Sequence, residues 1–341
     1  MKFFLVFVFS ILSLLTVAQT PNFDVKNIKL PAEVSYYDHQ FSGLYIYKND
    51  LFFMSESRLQ DAAPAVLYSI ALADIDQQLK DTSYALPYKK YPIYNAALLR
   101  NSMKQQGDDY EGFEAMVIIN GMVYLTVETA TPSNNCYLFE GILTDTAVIL
   151  NHQFLQPLPK PMAKNGSHIY NAGYEALAFV REQLLPIFEY NSFDAPLSMN
   201  SISLYNPAPD QLTTYHFANK LPFRLTDITA INKKQWVGIN YFYKGGGEDA
   251  VYRVPTNDVA NDTLIRKNNQ YESYCRLVTI SLTKKNVFVW KPLWELPTKY
   301  MSYNWEGIAA YKKGYFLIND KYTAARPYSS VLLFLQPKYD N

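Results

Sequence analysis

Five oxygen-bearing side chains hold matching places in a motif that recurs along the sequence, and together they resemble a ligand set for a hard metal ion. They are Ser42, Glu114, Glu175, Thr226 and Glu306. The set contains no imidazole and no thiolate, so it would select calcium or magnesium over zinc or copper. Three carboxylates held together repel one another and lose hydration, and a divalent cation offsets both costs. The larger and looser coordination of calcium makes Ca²⁺ the expected cofactor.

A second polar set lies fourteen positions after each member of the first. It comprises Glu56, Glu128, Glu189, Asn240 and Asp320, and the basic residues Arg58 and Lys321 follow closely. An acidic mouth with interspersed bases could hold a phosphorylated ligand, because guanidinium and ammonium groups bind phosphate oxygens strongly. We interpret these seven residues as a substrate-binding mouth. The open alternative is a rim of solvated loop charges.

The elements that must position these residues are five repeated hairpins. Each leading position is followed two residues later by an apolar side chain, in the order Leu44, Met116, Leu177, Ile228 and Ile308. A large apolar side chain follows ten residues after it, in the order Phe52, Tyr124, Leu185, Trp236 and Phe316. A polar turn separates the two. Glu111 competes with Glu114 for the leading position, but ten residues after Glu111 stands Gly121, so the shared register favours Glu114.

Five such units, spaced 51 to 80 residues apart, predict an all-β chain folded as a five-bladed β-propeller. The chain before the first unit and after the last makes one blade only if both termini cooperate. We therefore expect a strand at residues 23–30 to close the ring and cover the open edge. The long fourth unit has its third strand predicted at residues 250–254. It also carries extra strand-like sequence at 274–282 and 286–290, so six blades is the alternative.

The first eighteen residues predict an export signal. Lys2 precedes an apolar run over residues 3–15, and small residues at 16–18 offer a cleavage site. We expect an exported protein, periplasmic or extracellular, with residues 19–341 forming a single propeller domain and with no membrane span. The charge is balanced, with 31 basic and 31 acidic residues, which argues against a nucleic-acid partner. We expect a monomer in which Cys136 and Cys275 are separate buried thiols.

The order hydroxyl, Glu, Glu, hydroxyl, Glu at these motifs resembles the SdiA-regulated propeller family and the soluble calcium-activated nucleotidases, the apyrases. The last hairpin, with Asn304-Trp305-Glu306-Gly307 and Phe316-Leu317-Ile318-Asn319-Asp320, is similar to the esterase-like phytase family. The resemblance covers nearly all of the mature chain, in short motifs. It implies five blades and a central calcium held by the five leading residues. Thr226 departs from the usual serine, and Asp227 beside it is the alternative ligand.

Two functions follow as expectations. In the first, the chain is a calcium-dependent phosphoester hydrolase, phytase-like or nucleotidase-like, acting on a phosphorylated small molecule. In the second, it is a non-catalytic binding or scaffold propeller whose calcium only holds the ring together. We favour the hydrolase because of the double acidic ring and the phytase-like last blade.

Overall fold

The computed structural model describes residues 22–36, 39–56, 65–194, 196–203, 213–255, 257–320 and 329–338. These residues form an all-β chain of 23 strands with a few short helices. In chain order the strands are β1 (Phe23–Ile28), β2 (Phe41–Tyr47), β3 (Asp50–Ser55), β4 (Val66–Ala71), β5 (Lys89–Tyr94), β6 (Tyr110–Ile119), β7 (Met122–Thr129), β8 (Asn135–Leu143), β9 (Val148–Pro159), β10 (Ala176–Val180), β11 (Gln183–Ile187), β12 (Met199–Asn200), β13 (Ile202–Ser203), β14 (Thr214–Phe217), β15 (Arg224–Asn232), β16 (Gln235–Phe242), β17 (Arg266–Lys267), β18 (Gln270–Tyr271), β19 (Tyr274–Leu282), β20 (Val287–Glu295), β21 (Trp305–Tyr311), β22 (Gly314–Asn319) and β23 (Leu332–Pro337).

These strands make a five-bladed propeller, as predicted. Blade 1 contains β2 to β5, blade 2 contains β6 to β9, and blade 3 contains β10 to β14. Blade 4 contains β15, β16, β19 and β20, and blade 5 contains β21 to β23 with β1. The first strand of each blade contacts the first strands of its two neighbours, so β2, β6, β10, β15 and β21 surround a common axis. At the rim, β5 pairs in parallel with β9, and β14 pairs in parallel with β20.

The ring is closed by the N-terminal strand, which confirms the expected closure. Strand β1 pairs antiparallel with β23 in continuous register, from Phe23 opposite Pro337 to Ile28 opposite Leu332. The pairing gives the C-terminal blade its outer strand and joins the two ends of the chain. Closure of this kind removes a sheet edge that would otherwise expose unpaired backbone groups.

The fourth blade shows why six blades is wrong. Strand β16 pairs along its whole length with β19, from Gln235 opposite Ser281 to Phe242 opposite Tyr274, and β20 follows as the outer strand. The extra strand-like sequence thus completes one blade instead of starting another. The strand predicted at residues 250–254 is also wrong, since Glu248–Tyr252 form a 3₁₀ helix. With β19 already on the free edge of β16, that segment has no edge to join.

Helices are few and lie outside the blades' central sheets. They are α1 (Leu72–Lys80), α2 (Ala96–Gln105) and α3 (Val259–Ile265). Within the described part of the chain no helix combines the length and apolar character needed to cross a membrane. The predicted signal at residues 1–18 lies outside the described residues. The two cysteines are free, buried and in different blades, as expected.

Apolar side chains packed between blades form the core, and one buried carboxylate ties three inner strands together there. The two oxygens of Asp227 accept the backbone N–H of Ile228 at 2.7 Å and that of Ile308, in blade 5, at 2.8 Å. The backbone of Leu44, in blade 1, also donates to this carboxylate. A buried N–H left without an acceptor is costly. Asp227 is therefore a bridge between blades 4, 5 and 1, and its oxygens are occupied by backbone donors.

We predict that Asp227→Ala lowers the free energy of unfolding by about 3 kcal/mol, because it leaves buried backbone N–H groups without an acceptor. Urea unfolding followed by intrinsic fluorescence measures the change. Asp145→Ala, at an exposed position, is the matched control and should stay within about 0.5 kcal/mol of the unchanged protein. Equal stability of the two variants would contradict the bridging role.

Candidate active site at the propeller axis

The five leading residues lie in the inner strands or immediately before them. Four of them fall where the hairpin register is interrupted: Ser42 in β2, Glu114 in β6, Thr226 in β15 and Glu306 in β21. Such a β-bulge leaves a residue out of the ladder and turns its side chain. Glu175 immediately precedes β10. The repeated motif is thus a repeated bulge at the axis.

Their three carboxylates meet in the buried centre of the ring. Glu114, Glu175 and Glu306 are 5%, 4% and 8% exposed. Burial raises the pKa of Glu114 well above its ordinary value, and the charges of Glu56, Glu128, Glu175 and Glu306 raise it further. Glu111, the sequence competitor, is only partly buried. Glu114 is therefore the more deeply buried of the two, while the charge of Glu111 also raises the pKa of Glu128.

The second predicted set lies beside the first. Glu56, Glu128, Glu189 and Asn240 are buried, and Asp320 is partly exposed. Arg58 and Lys321 lie outside the described residues. We call the seven acidic side chains gathered at the axis the axial carboxylate cluster; they are Glu56, Glu114, Glu128, Glu175, Glu189, Glu306 and Asp320. The side chain of Asn240 binds the backbone: its Nδ2 donates to the carbonyl oxygens of Pro222 at 2.7 Å and Arg224 at 3.0 Å.

Gly112 shows how closely blades 1 and 2 approach one another at this cluster. A methyl group there would lie 3.1 Å from Oε1 of Glu114 and 3.1 Å from Oε1 of Glu56, and 2.6 Å from Cγ of Glu56. Any larger side chain would push the two carboxyl groups apart. The two carboxylates therefore share one small volume, which requires glycine at position 112.

Sequence reasoning missed a buried arginine inside the cluster. Arg224 donates from Nη2 to Oε1 of Glu175 at 3.0 Å and from Nε to Oε2 of Glu189. Tyr252, from the 3₁₀ helix, donates to the other oxygen of Glu189 at 2.9 Å, and the Arg224 guanidinium lies 5.3 Å from the ring of Tyr252. The available signal was its position two residues before Thr226, on the same inner strand. One positive charge thus serves two carboxylates.

Several cluster oxygens have no hydrogen-bond partner among the described residues: Oε1 of Glu114, Oε1 of Glu128 and Oε2 of Glu175. Burial raises the pKa of Glu175 well above its ordinary value, the charge of Glu189 adds to this, and Arg224 opposes it. Burial likewise raises the pKa of Glu306, with Asp320 the largest charge contributor. Protons are therefore held in this cluster at pH values where an exposed glutamate is ionised.

The two hydroxyl groups of the predicted metal ring donate hydrogen bonds to backbone carbonyl oxygens. Oγ of Ser42 donates to the carbonyl of Phe113 at 2.5 Å, and Oγ1 of Thr226 donates to the carbonyl of Trp305 at 2.7 Å. Each bond links an inner strand to that of the next blade. Asp227, the alternative ligand, is held by backbone N–H groups. Among the described residues no group of three or more histidine, cysteine, aspartate or glutamate side chains is arranged to hold a metal ion. The calcium ligands predicted at Ser42, Glu114, Glu175, Thr226 and Glu306 are not tested by these contacts and stay a prediction from the sequence.

No protein-family model matches the chain, and no curated protein matches it. Solved structures with similar folds include an exo-β-1,3-galactanase from Phanerochaete chrysosporium, with 8% identity and a TM-score of 0.48 over 93% of this chain and 67% of that one. Another is a GH43_1 enzyme from Xanthomonas citri, with 9% identity and a TM-score of 0.45 over 91% and 89%. A third is a GH43 β-1,3-galactosidase, with 10% identity and a TM-score of 0.46 over 93% and 95%.

These findings correct the resemblance drawn from the short motifs. The similar structures are GH43 glycosidases, and neither a phytase-like nor an apyrase family model matches. The predicted calcium-dependent phosphoester hydrolase is therefore wrong, and the calcium scaffold is no better supported. The motifs misled because inner-strand bulges place polar residues at the axis of a propeller whatever its chemistry. The phosphorylated substrate was predicted from the same motifs, so it is no longer supported.

Binding of Ca²⁺ as such is untested by these observations and stays a prediction from the sequence. Metal analysis of the purified full chain, followed by calorimetric titration with CaCl₂, checks it. Micromolar or tighter binding that Glu175→Gln weakens would agree with the prediction. Heat signals no different from those of a buffer blank would contradict it.

The cluster also predicts a pH dependence of stability through Glu128. Burial raises its pKa from 4.5 to about 7, with Lys160 opposing the shift and Glu189 adding to it. The folded chain therefore holds this proton more tightly than the unfolded chain. The resulting stability is fully present below pH 4.5 and is lost as the pH rises through 7. We expect a loss of about 3 kcal/mol, at ~1.4 kcal/mol for each pKa unit.

Urea unfolding at pH 5 and pH 8 measures this loss, and Glu128→Gln should reduce it because the amide does not titrate. Glu140→Gln, at a partly exposed position on β8, is the control and should keep the pH dependence of the unchanged protein. An undiminished pH dependence in Glu128→Gln would contradict the assignment.

Proposed function

We propose that the chain is a glycoside hydrolase whose reacting groups belong to the axial carboxylate cluster. Glycoside hydrolysis needs one carboxyl group that carries a proton and a second that is ionised, facing the same bond. The observation that carries the proposal is the presence in the cluster of Glu114 and Glu175, two buried carboxyl groups in different surroundings. Glu114 is a buried carboxyl with an unpartnered Oε1 among other carboxylates, whereas Glu175 is held by Arg224.

Glu114 is the proposed general acid. Its burial among Glu56, Glu128, Glu175 and Glu306 favours the protonated form. The unpartnered Oε1 is free to donate that proton to a glycosidic oxygen, which makes the sugar a better leaving group. Exposed glutamates ionise too readily for this role near neutral pH.

Glu175 is the proposed general base, and Arg224 is its positioning residue. Nη2 of Arg224 fixes Oε1 of Glu175 at 3.0 Å and leaves Oε2 without a partner among the described residues. That oxygen can accept a proton from an attacking water. Arg224 also contacts Glu189, and its positive charge opposes the rise that burial and Glu189 cause in the pKa of Glu175. The water forms the new bond to the sugar carbon as the glycosidic bond breaks.

Nitrophenyl β-galactoside, β-xyloside and α-arabinofuranoside form a suitable first panel, assayed with the full chain. Glu114→Gln and Glu175→Gln should each lower kcat by roughly 10² to 10⁴, the usual contribution of a positioned acid or base. Glu140→Gln is the matched control and should retain the activity. Absence of turnover on every glycoside, or full activity in both cluster variants, would rule the proposal out.

The two roles are separable by the leaving group. A dinitrophenyl glycoside departs with little protonation, so Glu114→Gln should lose much less activity on it than on a methyl glycoside. Glu175→Gln should lose activity on both, because the attacking water still needs a base. Equal losses for Glu114→Gln on the two substrates would remove it from the acid role.

A further inference from the structure

A cleft at the junction of blades 3 and 4 combines aromatic, amide and charged side chains. It is lined by Asn191, Phe193, Asp194, Leu197, Phe217 and Lys220, among others. Asn191 and Phe217 form its buried floor, while Phe193 and Leu197 are half-buried walls. Small-molecule sites in proteins have this composition, with apolar walls and a few placed polar groups.

The floor of the cleft carries an unmet hydrogen-bond acceptor. Asn191 is 6% exposed, its Nδ2 donates to the carbonyl of Phe188, and its Oδ1 has no partner among the described residues. A buried acceptor without a donor destabilises the fold unless a ligand or solvent supplies one. Nδ2 is engaged by the carbonyl of Phe188, so Oδ1 is the buried atom of this amide that lacks a donor.

The rim of the cleft is polar, with one carboxylate between two ammonium groups. Asp194 binds Nζ of Lys220 at 3.0 Å and Nζ of Lys164 at 3.4 Å, so the lysines at this rim are paired. These exposed groups present hydrogen-bond donors and acceptors to the hydroxyls of a ligand. The half-buried ring of Phe193 supplies a flat apolar face of the kind on which the C–H face of a sugar packs.

A continuous run of side chains connects the cleft to the axial carboxylate cluster. The ring of Phe193 lies 4.7 Å from that of Tyr190, which lies 5.7 Å from that of Tyr252. Tyr252 in turn donates to Glu189 at 2.9 Å. Asn191 is two residues beyond Glu189, a span of at most ~7 Å between their Cα atoms. The cleft and the cluster are therefore neighbours on the side of blades 3 and 4.

We propose that this cleft is a saccharide subsite, which binds a further sugar unit of an oligosaccharide whose glycosidic bond lies at the cluster. A hydroxyl of that unit donates to Oδ1 of Asn191, its apolar face packs on Phe193, and its remaining hydroxyls meet Asp194 and Lys220. This inference rests on the proposed function, because a subsite contributes to catalysis only if the cluster cleaves glycosidic bonds. It adds that the substrate is an oligosaccharide rather than a single glycosyl unit.

Phe193→Ala tests the subsite, with Phe179→Ala as the matched control on β10, where the ring is exposed. Two substrates are compared: the nitrophenyl monoglycoside that the chain turns over, and the nitrophenyl disaccharide of the same sugar. The Phe193 variant should lower kcat/KM at least tenfold more for the disaccharide than for the monoglycoside. The Phe179 variant should change neither. Melting temperatures confirm that both variants fold.

Binding measured without turnover separates the two ideas. Calorimetry with galactobiose, xylobiose and arabinobiose on the full chain should show binding of one of them, weakened at least tenfold by Phe193→Ala. Such binding without hydrolysis of any glycoside would overturn the proposed function and keep the saccharide site. Hydrolysis with equal losses on both substrates would overturn the subsite alone. Absence of binding by all three disaccharides and of any difference between the substrates would also overturn the subsite.

Discussion

Electrostatic repulsion among carboxylates at the propeller axis is the constraint on which the rest of this structure depends. Closing five blades into a ring brings the five leading residues of the inner strands together, and three of those residues are glutamates. Four further acidic side chains reach the same place from the return strands or their ends. Among the described residues, Arg224 contacts this cluster directly, through Glu175 and Glu189. The remaining charge is reduced by protonation, which burial favours, and by donors such as Asn304, which binds both Glu306 and Asp320. Burial thus raises the pKa of Glu114, Glu175 and Glu306, while Arg224 opposes the rise at Glu175.

Polar groups also hold the blades to one another at the axis, and the hydroxyl members of the repeated motif belong to that task. Ser42 and Thr226 each donate to a carbonyl oxygen of the next inner strand, and Asp227 accepts N–H groups from its own strand and from blade 5. The pattern hydroxyl, Glu, Glu, hydroxyl, Glu therefore divides into two sets. The hydroxyls fix neighbouring blades, and the carboxylates form the cluster. A single β-bulge geometry serves both, because it turns a side chain out of the ladder and toward the axis.

The molecule is asymmetric around its axis, and the proposed saccharide site lies on one side of it. Arg224, Tyr252 and Glu189 lie together on the side of blades 3 and 4, next to the cleft that contains Asn191 and Phe193. Blade 3 has short outer strands, β12 and β13, of two residues each. A 3₁₀ helix inserted into blade 4 supplies Tyr252. These departures from a regular propeller give one side of the ring the side chains that a ligand would meet.

The sequence by itself determined the five blades, the terminal closure and the shared register of the leading residues, because these follow from local patterns of apolar residues, turns and hairpin lengths. It could not decide which of two strand-like segments, residues 250–254 or 274–282, would complete blade 4. Both segments have the sequence pattern of a strand, but only one of them can pair with the free edge of β16. It also missed Arg224, an isolated arginine in a strand whose role exists only once Glu175 and Glu189 from another blade lie against it. Which oxygens of the axis bind backbone, which bind Arg224 and which stay unpaired was decided by tertiary structure alone. Those partners are 35 to 81 residues apart in the chain, and nothing in local sequence encodes such distances.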